Sequence, residues 1–263
     1  MDGWHSKRLE ELPFHKEVSL LNWSRLRDNG IIFKRKSILV LLDSSMYQYK
    51  GIKITWLGHD GFRIQNGQTV YVDPFKIESG GPKADLVLIS HEHFDHLSVD
   101  DLKKIVGHNT TVIAHHQSMD ELSKLKPKEI KTMKPGDKIR VGGLEVEAVP
   151  AYNVNKFREP GKVFHPKEDG KLGFVLTVNG VRIYHAGDTD HIPEMKGIRA
   201  EVALLPVSGT YVMTVEEAAE ATNAINPKVV IPMHYGAIVG DRKDAEALQK
   251  LVKCEVKILE RET

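Results

Sequence analysis

Cysteine is nearly absent from this chain. Cys254 is its single thiol in 263 residues, so no disulfide can close within it. That scarcity suits a reducing compartment, and a cytoplasmic location is the expectation. Long apolar runs are missing too: nothing approaches the ~18 residues a membrane span needs, and Ser37-Ile38-Leu39-Val40-Leu41-Leu42 is too short. More than thirty mixed, charged residues precede that run, which is not how a secretory signal begins. Excess charge of one sign is also lacking. Charged residues make up 28% of the chain but sum to +1, which argues against nucleic acid or an anionic membrane as partner and leaves a small-molecule substrate. Low-complexity tracts and obvious internal repeats are absent. Nothing in the sequence sets an oligomeric state.

The length suits one compact domain of about 200 residues with an extension. Residues 1–48 carry Trp4, Phe14, Trp23 and Phe33 among charges, without a helix or strand period. They read as an appended segment, disordered or an over-called start, and residues 49–263 as the domain. Met46 could serve as a start, which would make the first 45 residues an over-extended translation start; a peptide from residues 9–25 in a mass spectrum of the native protein would refute that.

What is present is concentrated in one loop. His91-Glu92-His93-Phe94-Asp95-His96 gathers three imidazoles and a carboxylate at H-x-H-x-D-H spacing, and these are donors for zinc, iron or manganese. A lone histidine in a polar loop is ordinarily just solvated, but solvation gives no reason for clustering. The run Asp85-Leu86-Val87-Leu88-Ile89-Ser90 before it, with its continuous apolar residues, predicts a short buried strand, so the donors sit at a strand's carboxyl end, where α/β sheets place their chemistry. Two further strand exits fit the same picture: Asp188 follows the strand ending at His185, and His234 follows the apolar strand in Lys228-Val229-Val230-Ile231-Pro232-Met233.

Turn signals organise the rest. Asn66-Gly67, Gly142-Gly143 and Asn179-Gly180 each separate two strand-like runs, the first expected as a type I′ turn. Ser98 with Asp101, Ser118 with Glu121, and Thr214 with Glu217 have the spacing of capping boxes. A helix is expected over 215–225 and closed by Asn226-Pro227, another over 242–252, and a final strand over 255–259. Hairpin clusters with helices at intervals predict an α/β protein of two mixed sheets covered by helices, an αββα sandwich, with every motif loop opening along one edge.

Thr55-Trp56-Leu57-Gly58-His59, Val72-Asp73-Pro74, the histidine-rich loop, Ala151-Tyr152-Asn153, Gly187-Asp188-Thr189 and Pro232-Met233-His234-Tyr235-Gly236 together resemble the metallo-β-lactamase superfamily. The likeness is greatest to its L-ascorbate-6-phosphate lactonase-like branch of metal-dependent hydrolases, and it covers about residues 50–260. The resemblance implies one metal on His91 and His93, a second on Asp95, His96 and His234, and Asp188 bridging them. Many relatives complete the first shell with another histidine where this chain has Asn153; His165 is the candidate substitute. His59, Asn153 and Tyr235 are the expected substrate contacts, with Tyr211, Lys156 and Arg158 as further candidates and His185 as a partner orienting a ligand.

The implied cofactor is one or two divalent ions, zinc first, with manganese or iron open because no thiolate biases the site. The implied reaction is attack of a metal-held hydroxide on a small ester, lactone or phosphodiester, with Asp95 orienting the nucleophile or carrying a proton. The main alternative is a metal-binding protein of the same fold with little catalysis, for which Asn153 is the argument. An iron redox protein is a weaker one, since flavodiiron relatives have a glutamate in place of His93 and a flavodoxin domain. A nuclease would need an inserted domain or a basic arm, and neither is visible.

Overall fold

The structure, a computed structural model, describes residues 44–78 and 81–263. Most of the amino-terminal segment discussed above therefore lies outside the described residues. Seven strands form a first sheet in simple chain order: β1 (Met46–Tyr49), β2 (Ile52–Gly58), β3 (Gly61–Gln65), β4 (Thr69–Val72), β5 (Leu86–Ile89), β6 (Thr111–Ala114) and β7 (Glu129–Thr132). Residues 46–48, counted above with the amino-terminal segment, are in register with Lys53–Thr55 of β2.

A second seven-stranded sheet is built from β8 (Lys138–Val141), β9 (Leu144–Pro150), β12 (Leu172–Val178), β13 (Val181–His185), β14 (Val202–Pro206), β15 (Val229–Met233) and β16 (Glu255–Val256). A two-stranded ribbon, β10 (Phe157–Glu159) and β11 (Lys162–Val163), interrupts the run between β9 and β12. In both sheets the first four strands pair antiparallel and the last three parallel. The two halves thus repeat one topology that no sequence similarity betrays.

Side-chain alternation assigns the layers. Leu86 and Leu88 of β5 point into the core between the sheets, together with Ile54, Phe62, Phe174, Leu176 and Ile183. Val87 and Ile89 point the other way, onto Leu102 and Ile105 of helix α1 (Val99–Ile105) and Leu122 of the short helix α2 (Met119–Leu122). A strand covered on both faces has no reason to alternate polar with apolar, and so β5, β14 and β15 are buried throughout. Helices α3 (Val215–Ile225) and α4 (Arg242–Leu251) supply Ala218, Ala221, Ile225, Ala245 and Leu248 to the main core. Each fully buried Leu or Ile contributes roughly 1.5–3 kcal/mol. The expected αββα sandwich is observed.

Several local expectations hold. Thr214 and Glu217 cap α3 reciprocally, and Asn226 ends it in the left-handed conformation. Asn179-Gly180 and Gly142-Gly143 are two-residue turns with positive φ at both positions. Others need correction. Asn66-Gly67 is not a type I′ turn: Gln65 pairs with Thr69, so the loop has three residues, and only Gly67 takes positive φ. Ser118 makes no cap hydrogen bond, because it ends a 3-10 turn (His116–Ser118) already in helical conformation. Ser98 does cap α1, but Asp101 turns away to accept from the backbone of Lys76 and Ile77. The final strand stops at Val256 because the chain crosses to the other sheet's edge, where Glu260 N donates to Ser44 O and Glu262 N to Trp56 O.

Candidate metal centre

The loops leaving the carboxyl ends of β2, β4, β5, β13, β14 and β15 converge. After β5 the chain turns sharply, with His96 N and Leu97 N both donating to His93 O, so His91, His93 and His96 fall within one short stretch of backbone. After β13, Asp188 is presented by a turn that only glycine tolerates: Gly187 has φ +63, and a Cβ there would lie 2.5 Å from Leu172 O. His185, at the strand's end, accepts from Gly187 N through Nδ1 and so steadies that turn. After β15, His234 itself takes φ +59, a conformation costly for a non-glycine residue and found preferentially at functional sites.

Four buried histidines share one arrangement. Ser90 Oγ meets His91 Nδ1, Asp73 Oδ2 meets His96 Nδ1, Asn153 Oδ1 meets His165 Nδ1, and Ser208 Oγ meets His234 Nδ1, each at 2.9 Å. Each contact fixes a ring and leaves its Nε2 facing a common centre, the pattern in which outer hydrogen bonds orient metal ligands. Asp73 also accepts from Ser90 N and Oγ, tying the two sheet-one histidines together.

The facing atoms fall into two groups around Asp188. His91 Nε2 lies 3.1 Å from His93 Nδ1, and His165 Nε2 lies 3.3 Å from the same atom. Asp188 Oδ2 is 3.8 Å from His91 Nε2 and 3.6 Å from His165 Nε2. Its other oxygen, Oδ1, is 3.3 Å from His96 Nε2 and 3.5 Å from His234 Nε2. Ligands about 2.0–2.1 Å from a tetrahedral ion are separated by ~3.3 Å, so these spacings match the edges of metal shells. His96 Nε2, His234 Nε2 and Asp188 Oδ1 are buried without a hydrogen-bond partner. Orphaned buried donors are expensive unless a cation satisfies them, and the residues therefore fit the metal that the motifs imply.

Electrostatics point the same way. Burial holds His91 well below its usual pKa and His165 down at about 4, keeping both neutral with a lone pair to give. Burial would also favour neutral side chains at His96, His234 and Asp188. Their mutual attraction outweighs it, raising both imidazoles and holding Asp188 well below the carboxylate range.

The expected site residues come together with different roles. His165, reached directly after the β10–β11 ribbon, joins His91 and His93 as a possible metal-holding group. Asn153 is the group that positions it: Oδ1 accepts from His165 N and Nδ1, while Nδ2 donates to Asp190 Oδ1 and Tyr211 O. Asp95 stands beside the second group rather than inside it. Its Oδ2 is 3.1 Å from His59 Nε2 and 4.0 Å from His96 Nε2. Burial opposes its ionisation, but the His59 hydrogen bond prevails and brings its pKa down to about 2.

The three residues expected to touch substrate, His59, Asn153 and Tyr235, are all buried, and Tyr235 packs its ring on Trp56 at 4.8 Å. Lys156, a candidate anion receptor, is committed to Glu217 and Asp190. Asp60, Asp73, Ser90 and Ser208 carry functional geometry that the motif reading did not assign. Asp73 and Ser90 each directly follow a strand, which was the available signal; Asp60, within a hairpin turn, and Ser208 gave none.

A β-lactamase superfamily domain matches residues 53–234. Relatives named UPF0173 metal-dependent hydrolases include one from Archaeoglobus fulgidus, 35% identical over 78% of this chain and 92% of that protein. Another, from Methanopyrus kandleri, is 36% identical over 80% of this chain and 97% of that one. A crystal structure from Parabacteroides distasonis, named as a metal-dependent hydrolase, superposes with TM-score 0.68 at 32% identity, covering 82% and 98% of the two chains. The metallo hydrolase Igni18 of Ignicoccus hospitalis shares the fold, with TM-score 0.65 at 24% identity over 81% and 96%. No helix among the described residues is long and apolar enough to cross a membrane.

Proposed function

The chain belongs to the β-lactamase superfamily and is a metal-dependent hydrolase; from that premise we propose that it cleaves a small carboxylic ester or lactone, with the two groups of imidazoles on either side of Asp188 each able to hold a divalent cation. The observation that carries the proposal is the division of labour within that one carboxylate, whose two oxygens face two separate sets of imidazoles. His91, His93 and His165 would hold one cation, and His96 and His234 the second with Asp95 alongside. When bound, the cations lower the pKa of water to about 7 and stabilise charge developing on a substrate oxygen.

The protein's own groups do the rest. Ser90, Asp73, Asn153 and Ser208 fix four rings before any ligand arrives, so orientation costs nothing during reaction. Asp95, ionised and braced by His59, is placed to accept a hydrogen bond from an attacking water and so to aim it. The alternative of a metal-binding protein with little catalysis drew on Asn153, and the hydrogen bonds of Asn153 to His165 remove that argument.

The substrate reading draws on the rim. Phe94 on the loop after β5, Val154 and Phe157 on the stretch from β9 into the ribbon, and Tyr211 on the loop after β14 are exposed apolar groups. The cations nearest the donors are already paired, Lys156 with Glu217 and buried Lys171 with Glu92 at 2.6 Å. An apolar rim whose cations are occupied favours an ester or lactone over a phosphorylated compound, and a lactone suits the lactonase-like branch that the motifs resemble. The test is hydrolysis of matched lactone, carboxylic ester and phosphodiester probes by stripped protein reloaded with zinc or manganese, with elemental analysis of the same samples. Metal-dependent turnover of the first two is expected. Turnover of the phosphodiester alone would sink the substrate class, and equal turnover without metal would sink the whole reading.

A further inference from the structure

The loop from β14 into α3, residues 207–214, is moored to both groups of imidazoles through the side chains that aim them. Ser208 Oγ meets His234 Nδ1 at 2.9 Å. Tyr211 O accepts from Asn153 Nδ2 at 2.8 Å, and the other end of that amide holds His165. The rest of the loop is tied as firmly. Gly209 N donates to Met213 O and Met213 N to Thr189 O, while Val212 and Met213 are fully buried. At the turn of this rigid loop stands Tyr211, with φ +68. Glycine or asparagine takes that conformation at little cost, whereas a bulky residue there is an outlier of the kind that clusters at ligand clamps and active sites. Nor is the ring part of the core: Tyr211 is 37% exposed, and its ring meets Phe164 edge-on at 4.6 Å. Phe164 directly precedes His165 in the chain.

We propose that Tyr211 determines the specificity of the centre: its ring, backed by Phe164, receives a non-polar arm of the substrate. Resting on the ester-or-lactone reading above, this narrows the preferred substrate to one that carries such an arm. A single amide separates the Tyr211 backbone from the His165 ring, so one small molecule can span the first imidazole group and the tyrosine. An aromatic ring with two torsions offers a large contact surface and loses little freedom on binding, and the edge of Phe164 keeps it from swinging away. Val154 and Phe157, both exposed, extend the non-polar surface along the neighbouring stretch. A charged arm would find no free partner there in Lys156, which is held by Glu217 and Asp190.

The test compares hydrolysis of γ-butyrolactone with that of γ-lactones bearing a propyl or hexyl arm. It uses the full chain reloaded with zinc, as wild type, Tyr211→Phe, Tyr211→Gly and Phe164→Ala, with elemental analysis of each sample. Wild type should favour the armed lactones in kcat/KM. Tyr211→Gly, which suits the backbone of this turn, should keep the wild-type metal content and lose that preference by about 10-fold or more, the scale on which apolar contacts discriminate. The loss should fall on KM for the armed lactones rather than on kcat. Tyr211→Phe should retain the preference, and Phe164→Ala should reduce it in part.

An unchanged preference in Tyr211→Gly would overturn the assignment. So would its loss in Tyr211→Phe, which would move the contact from the ring to the hydroxyl, or a fall in the metal content of Tyr211→Gly, which would make the ring a support of the centre. If Tyr211→Gly does not fold, Tyr211→Asn decides by the same ratio. A wild type that cleaves lactones without regard to the arm sinks this inference alone. One that cleaves neither these lactones nor matched carboxylic esters brings down the ester-or-lactone reading itself.

Discussion

The two sheets share a topology and contribute to the centre in opposite styles. The first delivers its donors densely: His91, His93 and His96 leave one loop, with Asp73 and Ser90 close behind to aim His91 and His96. The second delivers them singly, one side chain per strand exit, as Asp188 after β13 and His234 after β15, with His165 arriving from the inserted ribbon. A dense loop can place three imidazoles cheaply because neighbours in sequence are already neighbours in space. It cannot enclose an ion, since one stretch of backbone approaches from one side. Enclosure needs the second sheet, and neutralisation needs its carboxylate.

That contrast can be broken most severely by removing one donor from each side. His93→Ala with Asp188→Ala should abolish metal retention in elemental analysis; stoichiometric metal in the double variant would refute the site. A gentler cut separates ligand from orienting group on the inserted ribbon. Asn153→Ala should leave His165 in place but unaimed, weakening the first equivalent by about 10–100-fold, while His165→Ala should weaken it further. Equal effects would make Asn153 a ligand after all.

The smallest expected effect concerns the brace beneath that ribbon. Glu217 caps α3 and also receives Asn155 and Lys156. Burial would raise its pKa, but these hydrogen bonds win and lower it. A carboxylate depressed on folding adds stability above its unfolded pKa of ~4.3 and loses it as pH falls through the folded value. Glu217→Gln should therefore cost about 1 kcal/mol at neutral pH, and the gap from wild type should close in acid. A constant gap across thermal melts from pH 7 to pH 3 would count against the brace.

The dense half was legible in the sequence and the sparse half only partly so. Three histidines and an aspartate in six residues announce a metal loop, and the strands before Asp188 and His234 give their donors away. Among its neighbours in sequence, Asn153 looks like a failed ligand. Its meaning lies in a partner twelve residues on, across a ribbon too short and too charged to show a strand period. Asp60 was hidden differently, in a turn where aspartate is ordinary; only its burial and its empty hydrogen-bond shell set it apart. Repeated topology left no trace either, because the two halves bury equivalent strands with unrelated apolar side chains.

Asp188 straddling two groups of imidazoles has a consequence for how the protein matures. In the two-cation reading, the first sheet alone would offer three imidazoles without the anion that lets two cations sit side by side, so full loading would follow the carboxyl-terminal half. Ions held by both halves would then act as a clasp, strengthening the union of the sheets with the logarithm of their free concentration.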